Sequence, residues 1–340
     1  MKTNLILNAV MVLTLICLSS CVSIIQTIVP EENKLPITFK SDKYIICTLT
    51  TDTPPALLAE KFLGDPNKVW MIEDENKNAL YQKGETIVIP LVLDNKAGLT
   101  KTGYQAVPIL CYHRFSKDCT SKLCMPENVF ARQMKYLKDN HYRVISMDTL
   151  IAYLEYNKAL PKRSVVITID DGYNSVYDIA FPVLKQYGFT ASLFIYTDFV
   201  AGGSAMTWQQ IREMKSAGFE IGSHTLFHSD LAAKRPKENE KNYIKRITHE
   251  IVHSKEILDK KLNQDTRLFA FPFGSSNRQV INICKKAGYK AAVTVIRGTN
   301  PFFKDPFLLH RDQILSREQV AFVSRLKTFQ AISLEDKDNE

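Results

Sequence analysis

Acidic and imidazole side chains are concentrated at two points of the chain, with a spacing typical of a metal site. Asp170 and Asp171 directly follow the apolar run of residues 165–169. Adjacent carboxylates repel each other, so the pair is either a solvated turn or part of a site in which a cation neutralises the charge. His224 and His228 are spaced so that, on a helix, both imidazoles would share one face and could reach one ion. Two imidazoles and one carboxylate form a common catalytic ligand set that leaves room for water.

A second histidine pair offers an alternative chemistry. His249, Glu250 and His253 match the H-E-x-x-H pattern of zinc peptidases, in which the glutamate acts as general base. Residues 240–261, however, predict a helix whose apolar stripe lies on the side opposite both histidines. We therefore expect this pair to face solvent, and a zinc metallopeptidase is the alternative enzyme class.

The elements that would position these residues alternate between strand and helix over about 220 residues, which indicates a parallel α/β sheet closed as a barrel. In such barrels the reactive groups lie at the C-terminal ends of strands, where both clusters are found. Strands are predicted at residues 107–112, 144–146, 165–169, 191–196, 220–222, 268–271 and 291–295. Helices are predicted to begin near Glu127, Asp148, Ser175, Trp208, Glu240, Asn277 and Ser316.

Three strand-end motifs, in order, resemble those of the polysaccharide deacetylase family, the NodB homology domain of carbohydrate esterase family four. They are TIDDG at 168–172, SHTLFH at 223–228 and FAFPFG at 269–274. The resemblance covers about residues 107–326. It implies an α/β fold of the distorted (β/α)7 barrel type, and an enzyme that hydrolyses the N-acetyl groups of N-acetylhexosamine residues and releases acetate. A non-catalytic glycan-binding envelope lipoprotein is the alternative that is not an enzyme.

The resemblance also implies roles for individual residues. Asp171, His224 and His228 would hold a divalent metal, with Zn²⁺ as the default and other divalent ions also suited to the ligand set. Asp170 would be the general base, and the backbone N–H of Phe273 would help to hold the oxyanion.

The sequence departs from the family pattern around the acid and the base. The family's L-x-H motif is matched by the stretch ending at His310, which makes His310 the candidate general acid and His113 the reserve. Ala270 stands where many members have an arginine that steadies the base, and Arg297 is a candidate substitute. Trp208 could offer a ring to a sugar, and packing in the core is its alternative role.

The N-terminal residues are typical of an exported protein. Lys2 precedes a short apolar run, and Leu-Ser-Ser-Cys at residues 18–21 resembles a bacterial lipobox. The resemblance implies removal of residues 1–20 and lipidation of Cys21, with an ordinary signal peptide as the alternative. We expect an exported lipoprotein anchored to a membrane of the cell envelope, the outer membrane facing the periplasm if the cell has two.

Residues 44–90 predict strand, helix, helix and strand, a small βααβ unit that resembles a LysM module. The resemblance implies glycan binding; a unit that only spaces the catalytic domain from the membrane is the alternative. The predicted organisation is a signal at 1–20, a tether at 21–42, a LysM-like module at 43–92, a linker at 93–104, a polysaccharide deacetylase domain at 105–330 and a polar tail at 331–340.

Charge and cysteine content limit the partners. A net charge of +8 without a dense Lys/Arg block argues against nucleic acid as a partner.

Cys119 and Cys124 are expected to form a disulfide, since an exported protein can form one. The expected partners are an N-acetylated glycan and a membrane. Peptidoglycan, chitin oligomers and an exopolysaccharide remain open as substrates, and the sequence does not indicate an oligomeric state.

Overall fold

The computed structural model describes residues 35–332, which form a small N-terminal unit and a large α/β unit. The small unit is a three-stranded antiparallel sheet in the order β1-β2-β3, with two helices between its second and third strands. The predicted signal and Cys21 lie outside the described residues. The elements of the small unit are β1 (Ile37–Lys40), β2 (Tyr44–Thr48), α1 (Pro55–Leu63), α2 (Val69–Glu75) and β3 (Thr86–Pro90).

The predicted strand, helix, helix and strand are therefore present, and β1 adds a strand within the segment assigned to the tether. Proline begins α1, where its missing N–H costs no hydrogen bond, and Gly64 ends it in the left-handed region, with φ of 66°. The small unit is joined to the large one by Asp74, whose carboxylate accepts a 2.9 Å hydrogen bond from the backbone N–H of Lys162.

The large unit alternates strands and helices, with a π-helical turn at Val176–Ala180 and a 3-10 turn at Pro272–Gly274. The strands are β4 (Gly103–Tyr112), β5 (Arg114–Ser116), β6 (Cys124–Pro126), β7 (Arg143–Val144), β8 (Ser164–Asp171), β9 (Ser192–Ile195), β10 (Glu220–Ser223), β11 (Leu268–Ala270), β12 (Ala291–Val293), β13 (Thr299–Pro301), β14 (Asp312–Gln313) and β15 (Phe329–Ala331). The helices are α3 (Glu127–Asp139), α4 (Met147–Leu154), α5 (Phe181–Gln186), α6 (Trp208–Ser216), α7 (Glu240–Leu262), α8 (Arg278–Lys286) and α9 (Gln319–Val323).

Six parallel strands form the wall of the barrel in the order β12-β11-β10-β9-β8-β4. The seventh position is taken by residues 309–313, because Leu309 bridges Val293 in parallel while Asp312 pairs with Leu110 of β4. The predicted strand at 144–146 does not fill that position: β7 has two residues and lies beside the start of β8. The predicted fold class, a distorted (β/α)7 barrel, is confirmed.

Strand β8 is buried along its whole length, which explains why its sequence is apolar without alternation. Val165, Ile167 and Ile169 pack in one hydrophobic cluster, while Val166 packs in another on the opposite face. Its carboxyl end can therefore present polar groups only at the mouth of the barrel. Among the described residues, no helix has both the length and the apolar character needed to cross a bilayer.

Candidate metal and catalytic site

Asp170 and Asp171 are the last two residues of β8, and both are buried. Asp171 adopts a left-handed backbone conformation, with φ of 76°, so the strict alternation of side chains ends there. Both carboxylates consequently approach the same imidazole. His224 Nε2 lies 4.0 Å from Asp170 Oδ2 and 3.6 Å from Asp171 Oδ1.

The two histidines lie in an irregular loop after β10. The expectation that they share one face of a helix is therefore wrong, although their rings do converge. Thr225 and His228 both have positive φ, 72° and 56°, which folds the loop back on itself. The backbone N–H of His228 donates to Thr225 Oγ1 at 2.9 Å. This turn brings the rings of His224 and His228 to 4.7 Å between centroids.

Asp171, His224 and His228 form a convergent triad, with one ligand atom from each within 4.8 Å of the others. His228 Nε2 lies 3.5 Å from Asp171 Oδ1. That oxygen is buried and has no hydrogen-bond partner among residues 35–332. The Nδ1 atom of His224 lies 2.8 Å from the carbonyl oxygen of Ala270, so an N–H there leaves the Nε2 lone pair facing the triad. The residues therefore fit a divalent cation.

The electrostatics of the triad favour a metal over protons. Burial raises the pKa of Asp171 to about 6. Burial lowers the pKa of His224 to about 4, and it also lowers the pKa of His228. Both imidazoles are thus neutral near pH 7, which is the form that binds metals. A cation would offset the cost of burying the Asp171 carboxylate.

Arg311 is the functional residue that the sequence analysis missed. Its guanidinium is fully buried and pairs with Asp170 through two hydrogen bonds of 2.7 Å. A further N–H donates to the carbonyl oxygen of Thr294 at 2.8 Å. Burial alone would raise the pKa of Asp170, but the charge and hydrogen bonds of Arg311 hold it well below its usual range. Asp170 is therefore ionised and fixed in orientation.

Arg311 performs the role for which Arg297 was a candidate. The Arg297 side chain is 66% exposed, and its Nε lies 3.5 Å from Asp312 rather than near Asp170. The signal that could have identified Arg311 is its place in the short segment that closes the barrel between β12 and β4. Because that segment is extended, alternate side chains point into the barrel, and Arg311 is one of them.

The same alternation directs His310 away from Asp170. Its Nε2 lies 2.6 Å from Lys304 Nζ, and its ring lies against Gly298. Burial and the charge of Lys304 lower the pKa of His310. The structure therefore pairs Arg311, and not His310, with Asp170, and the assignment of His310 as the general acid stays a prediction.

His113, the reserve candidate for the general acid, lies beside Asp170. It follows β4, and its imidazole lies with the Asp170 carboxylate and the Cys111 thiol in a group whose polar atoms are within 4.8 Å of one another. The thiol is 3.6 Å from Asp170 Oδ2 and donates to it. Burial raises the pKa of Cys111 well above its usual range, so it is a neutral thiol.

Phe273 lies beside the triad. Its backbone is left-handed, with φ of 58°, and its exposed ring is 4.8 Å from the ring of His228. The role of its backbone N–H stays a prediction. Trp208, by contrast, begins α6 and packs against the core, with Lys261 Nζ 5.9 Å from the centre of its ring. Its half-buried side chain supports the core-packing alternative.

The H-E-x-x-H residues do not form a peptidase site. His249 and His253 are exposed, as expected, and stack with 5.1 Å between ring centroids. Glu250 is buried, and both of its oxygens accept hydrogen bonds from the loop of residues 226–229. The carboxylate therefore points away from the two imidazoles. The expected disulfide between Cys119 and Cys124 is present.

Comparison with known proteins identifies the family. The polysaccharide deacetylase family model matches residues 157–292. YxkH of Bacillus subtilis strain 168, whose name refers to this family, is 31% identical over 222 residues, which cover 65% of this chain and 76% of YxkH. The chain belongs to the polysaccharide deacetylase family. The poly-β-1,6-N-acetyl-D-glucosamine N-deacetylase of Staphylococcus aureus strain MRSA252 is 28% identical over 170 residues, and the match spans 58% of its length and 48% of this chain.

Solved deacetylases share the fold. The deacetylase PplD of Streptococcus pyogenes, determined in complex with acetate, is 28% identical with a TM-score of 0.59, and the match covers 65% of this chain and 98% of PplD. IcaB of Ammonifex degensii is 27% identical with a TM-score of 0.58, and the match covers 65% of this chain and 96% of IcaB. The polysaccharide deacetylase assignment therefore rests on sequence and on fold.

Proposed function

We propose that this polysaccharide deacetylase is a metal-dependent enzyme that removes acetyl groups from N-acetylhexosamine residues of an envelope or extracellular glycan. One observation carries the proposal: Asp171 Oδ1, which has no hydrogen-bond partner within the part of the chain that the structure describes, faces two neutral imidazoles, directly beside an Asp170 held ionised by Arg311. Asp171, His224 and His228 would hold the metal, with Zn²⁺ the first choice for this ligand set. When bound, the ion supplies Lewis acidity towards the acetyl carbonyl and towards water.

The residues of the chain supply the proton transfers. Hydrolysis forms a carbon–oxygen bond to water and breaks the amide carbon–nitrogen bond. Asp170 accepts a proton from the attacking water, and Arg311 keeps it ionised and aimed. His113 donates a proton to the departing nitrogen, so that the products are acetate and a free amine. The backbone N–H of Phe273 donates to the developing oxyanion, a contact worth about 2.7–4 kcal/mol when well placed.

Relatives guide the choice of glycan. The staphylococcal relative is named for poly-β-1,6-N-acetyl-D-glucosamine, which makes that polymer the first substrate to test. The LysM-like unit favours peptidoglycan or chitin-like chains as the next substrates. We further propose that Cys21 is lipidated, which would place the enzyme at the cell envelope, within reach of each of these glycans.

The test is acetate release from poly-β-1,6-N-acetyl-D-glucosamine, peptidoglycan and chitin oligomers by metal-stripped and Zn²⁺-reconstituted protein. The proposal expects release from at least one glycan, only after reconstitution, and its loss in Asp170→Asn. Asp118→Asn makes the same chemical change at an exposed position and should retain activity. Equal release by stripped and reconstituted protein, or by Asp170→Asn, would refute the proposal. No release from any of the three glycans would favour a non-catalytic glycan-binding lipoprotein.

A further inference from the structure

Glu250 is a buried carboxylate that the catalytic proposal does not use. It lies on α7 and is 2% exposed. Its Oε2 accepts hydrogen bonds from the backbone N–H groups of Leu226 at 3.1 Å and Phe227 at 2.9 Å. Its Oε1 accepts the hydroxyl of Ser229 at 2.5 Å. All three bonds go to residues 224–229, which we call the ligand loop because it contains both imidazoles of the triad.

The ligand loop needs such a restraint. Thr225 and His228 are non-glycine residues with positive φ, a strained conformation that persists only where the surroundings impose it. On one side the loop is fixed by the backbone N–H of Asp198, which donates to the carbonyl oxygen of Leu226 at 3.0 Å. On the other side it is fixed by Glu250.

We propose that Glu250 is a positioning residue for the metal centre: it clamps the ligand loop so that His228 points its Nε2 towards Asp171. The inference rests on the proposed metal-dependent function. A carboxylate suits the task because all three partners are donors, and an ionised acceptor makes shorter and stronger bonds to them than a neutral one. Groups outside the coordination sphere that hold metal ligands in position typically contribute 10- to 100-fold to metal affinity.

Variants at this position can be studied in the folded protein. A cavity of about 330 Å³ that is open to the surface is lined in part by Phe227, His249 and Glu250. Water can therefore solvate the loop N–H groups when Glu250 is shortened to alanine. Glu250→Gln keeps the size and one acceptor oxygen, and serves if the alanine variant does not fold. Glu256→Ala is the matched control, because Glu256 lies on the same helix with its side chain exposed.

The experiment is calorimetric titration of the metal-free protein with Zn²⁺, together with its thermal unfolding. All proteins carry His253→Ala, which removes the exposed imidazole pair on α7 as a competing site. We expect a Kd for Zn²⁺ about 10- to 100-fold higher in Glu250→Ala and several-fold higher in Glu250→Gln, with Glu256→Ala unchanged. Binding measured without substrate separates this role from any effect on catalysis.

The outcomes separate this inference from the proposal beneath it. If Glu250→Ala and Glu250→Gln lower the melting temperature but leave the Zn²⁺ affinity within twofold of the parent, Glu250 only stabilises the fold and the inference is wrong. If the parent protein binds no Zn²⁺, the metal proposal and this inference both fail. A raised Kd in the Glu250 variants, with normal affinity in Glu256→Ala, supports the clamp.

Discussion

The buried ion pair between Arg311 and Asp170 allows a quantitative test of how the base is held. Their side chains are 0% and 2% exposed and are joined by hydrogen bonds of 2.7 Å. Arg311→Met removes the charge at similar length and leaves the Asp170 carboxylate buried without a counter-charge. Breaking such a pair costs about 3–5 kcal/mol of the free energy of unfolding. The exposed Arg212→Met is the control, with a change within about 0.5 kcal/mol.

A double substitution separates the charge effect from lost packing. Asp170→Asn combined with Arg311→Met removes both charges, so no unpaired charge remains buried. We expect the double variant to be more stable than Arg311→Met alone, with a coupling energy between the two sites above about 1 kcal/mol. Urea unfolding of the four proteins of the cycle measures it.

The pH dependence of the free energy of unfolding tests the direction of this charge effect. In the parent, Arg311 depresses the pKa of Asp170 in the folded state, so this stability is present above the unfolded pKa and is lost as the pH falls through the folded pKa. In Arg311→Met, burial is no longer offset and the folded pKa of Asp170 rises above the unfolded one. The variant's deficit should therefore be larger at pH 7.5 than at pH 4. A deficit below about 1 kcal/mol at pH 7.5, or no coupling in the cycle, would show that Arg311 does not hold Asp170 through its charge.

Three further predictions concern the acid and the metal. His113→Ala should lower kcat for deacetylation by about 10²- to 10⁴-fold. His310→Ala should stay within a few-fold of the parent, because the His310 ring pairs with Lys304. Comparable losses in the two variants would contradict the assignment of His113 as the acid. Zn²⁺ affinity should weaken as the pH falls below about 6, because burial raises the pKa of Asp171 to about 6 and its proton must leave; a flat calorimetric profile from pH 7.5 to 5 would contradict this. Zn²⁺ at 100 times its Kd should raise the free energy of unfolding by about 2.7 kcal/mol, and Asp171→Ala should lose that gain in the same urea assay.

The barrel and its strand ends could be predicted because they depend on local patterns. A strand buried on both faces must be apolar throughout, and the polar residues that follow it must lie at the mouth. Residues 165–171 carry both signals, so Asp170 and Asp171 were placed correctly. The ring-closing segment at 309–313 carries neither signal, since it is held by a single bridge to Val293 and a two-residue pairing with β4.

The partner of Asp170 and the placement of His310 could not be predicted because each depends on which face of that short segment a side chain occupies. A shift of one residue exchanges His310 and Arg311 between the barrel interior and the outer face. Likewise, the left-handed conformations of Thr225 and His228 have no glycine to signal them, and they are imposed by contacts with distant elements such as Glu250 on α7. The spacing of neighbouring residues in the sequence does not predict such tertiary contacts.

The proposed chemistry requires one divalent cation held jointly by residues at the ends of β8 and β10, the two strands on either side of β9. Anomalous diffraction at the zinc edge, from crystals of the Zn²⁺-reconstituted protein, tests it most directly. We expect one strong peak bonded to Asp171, His224 and His228 at about 2.0–2.2 Å. A principal peak at His249 and His253, or at Cys111 and His113 without the triad, would contradict it.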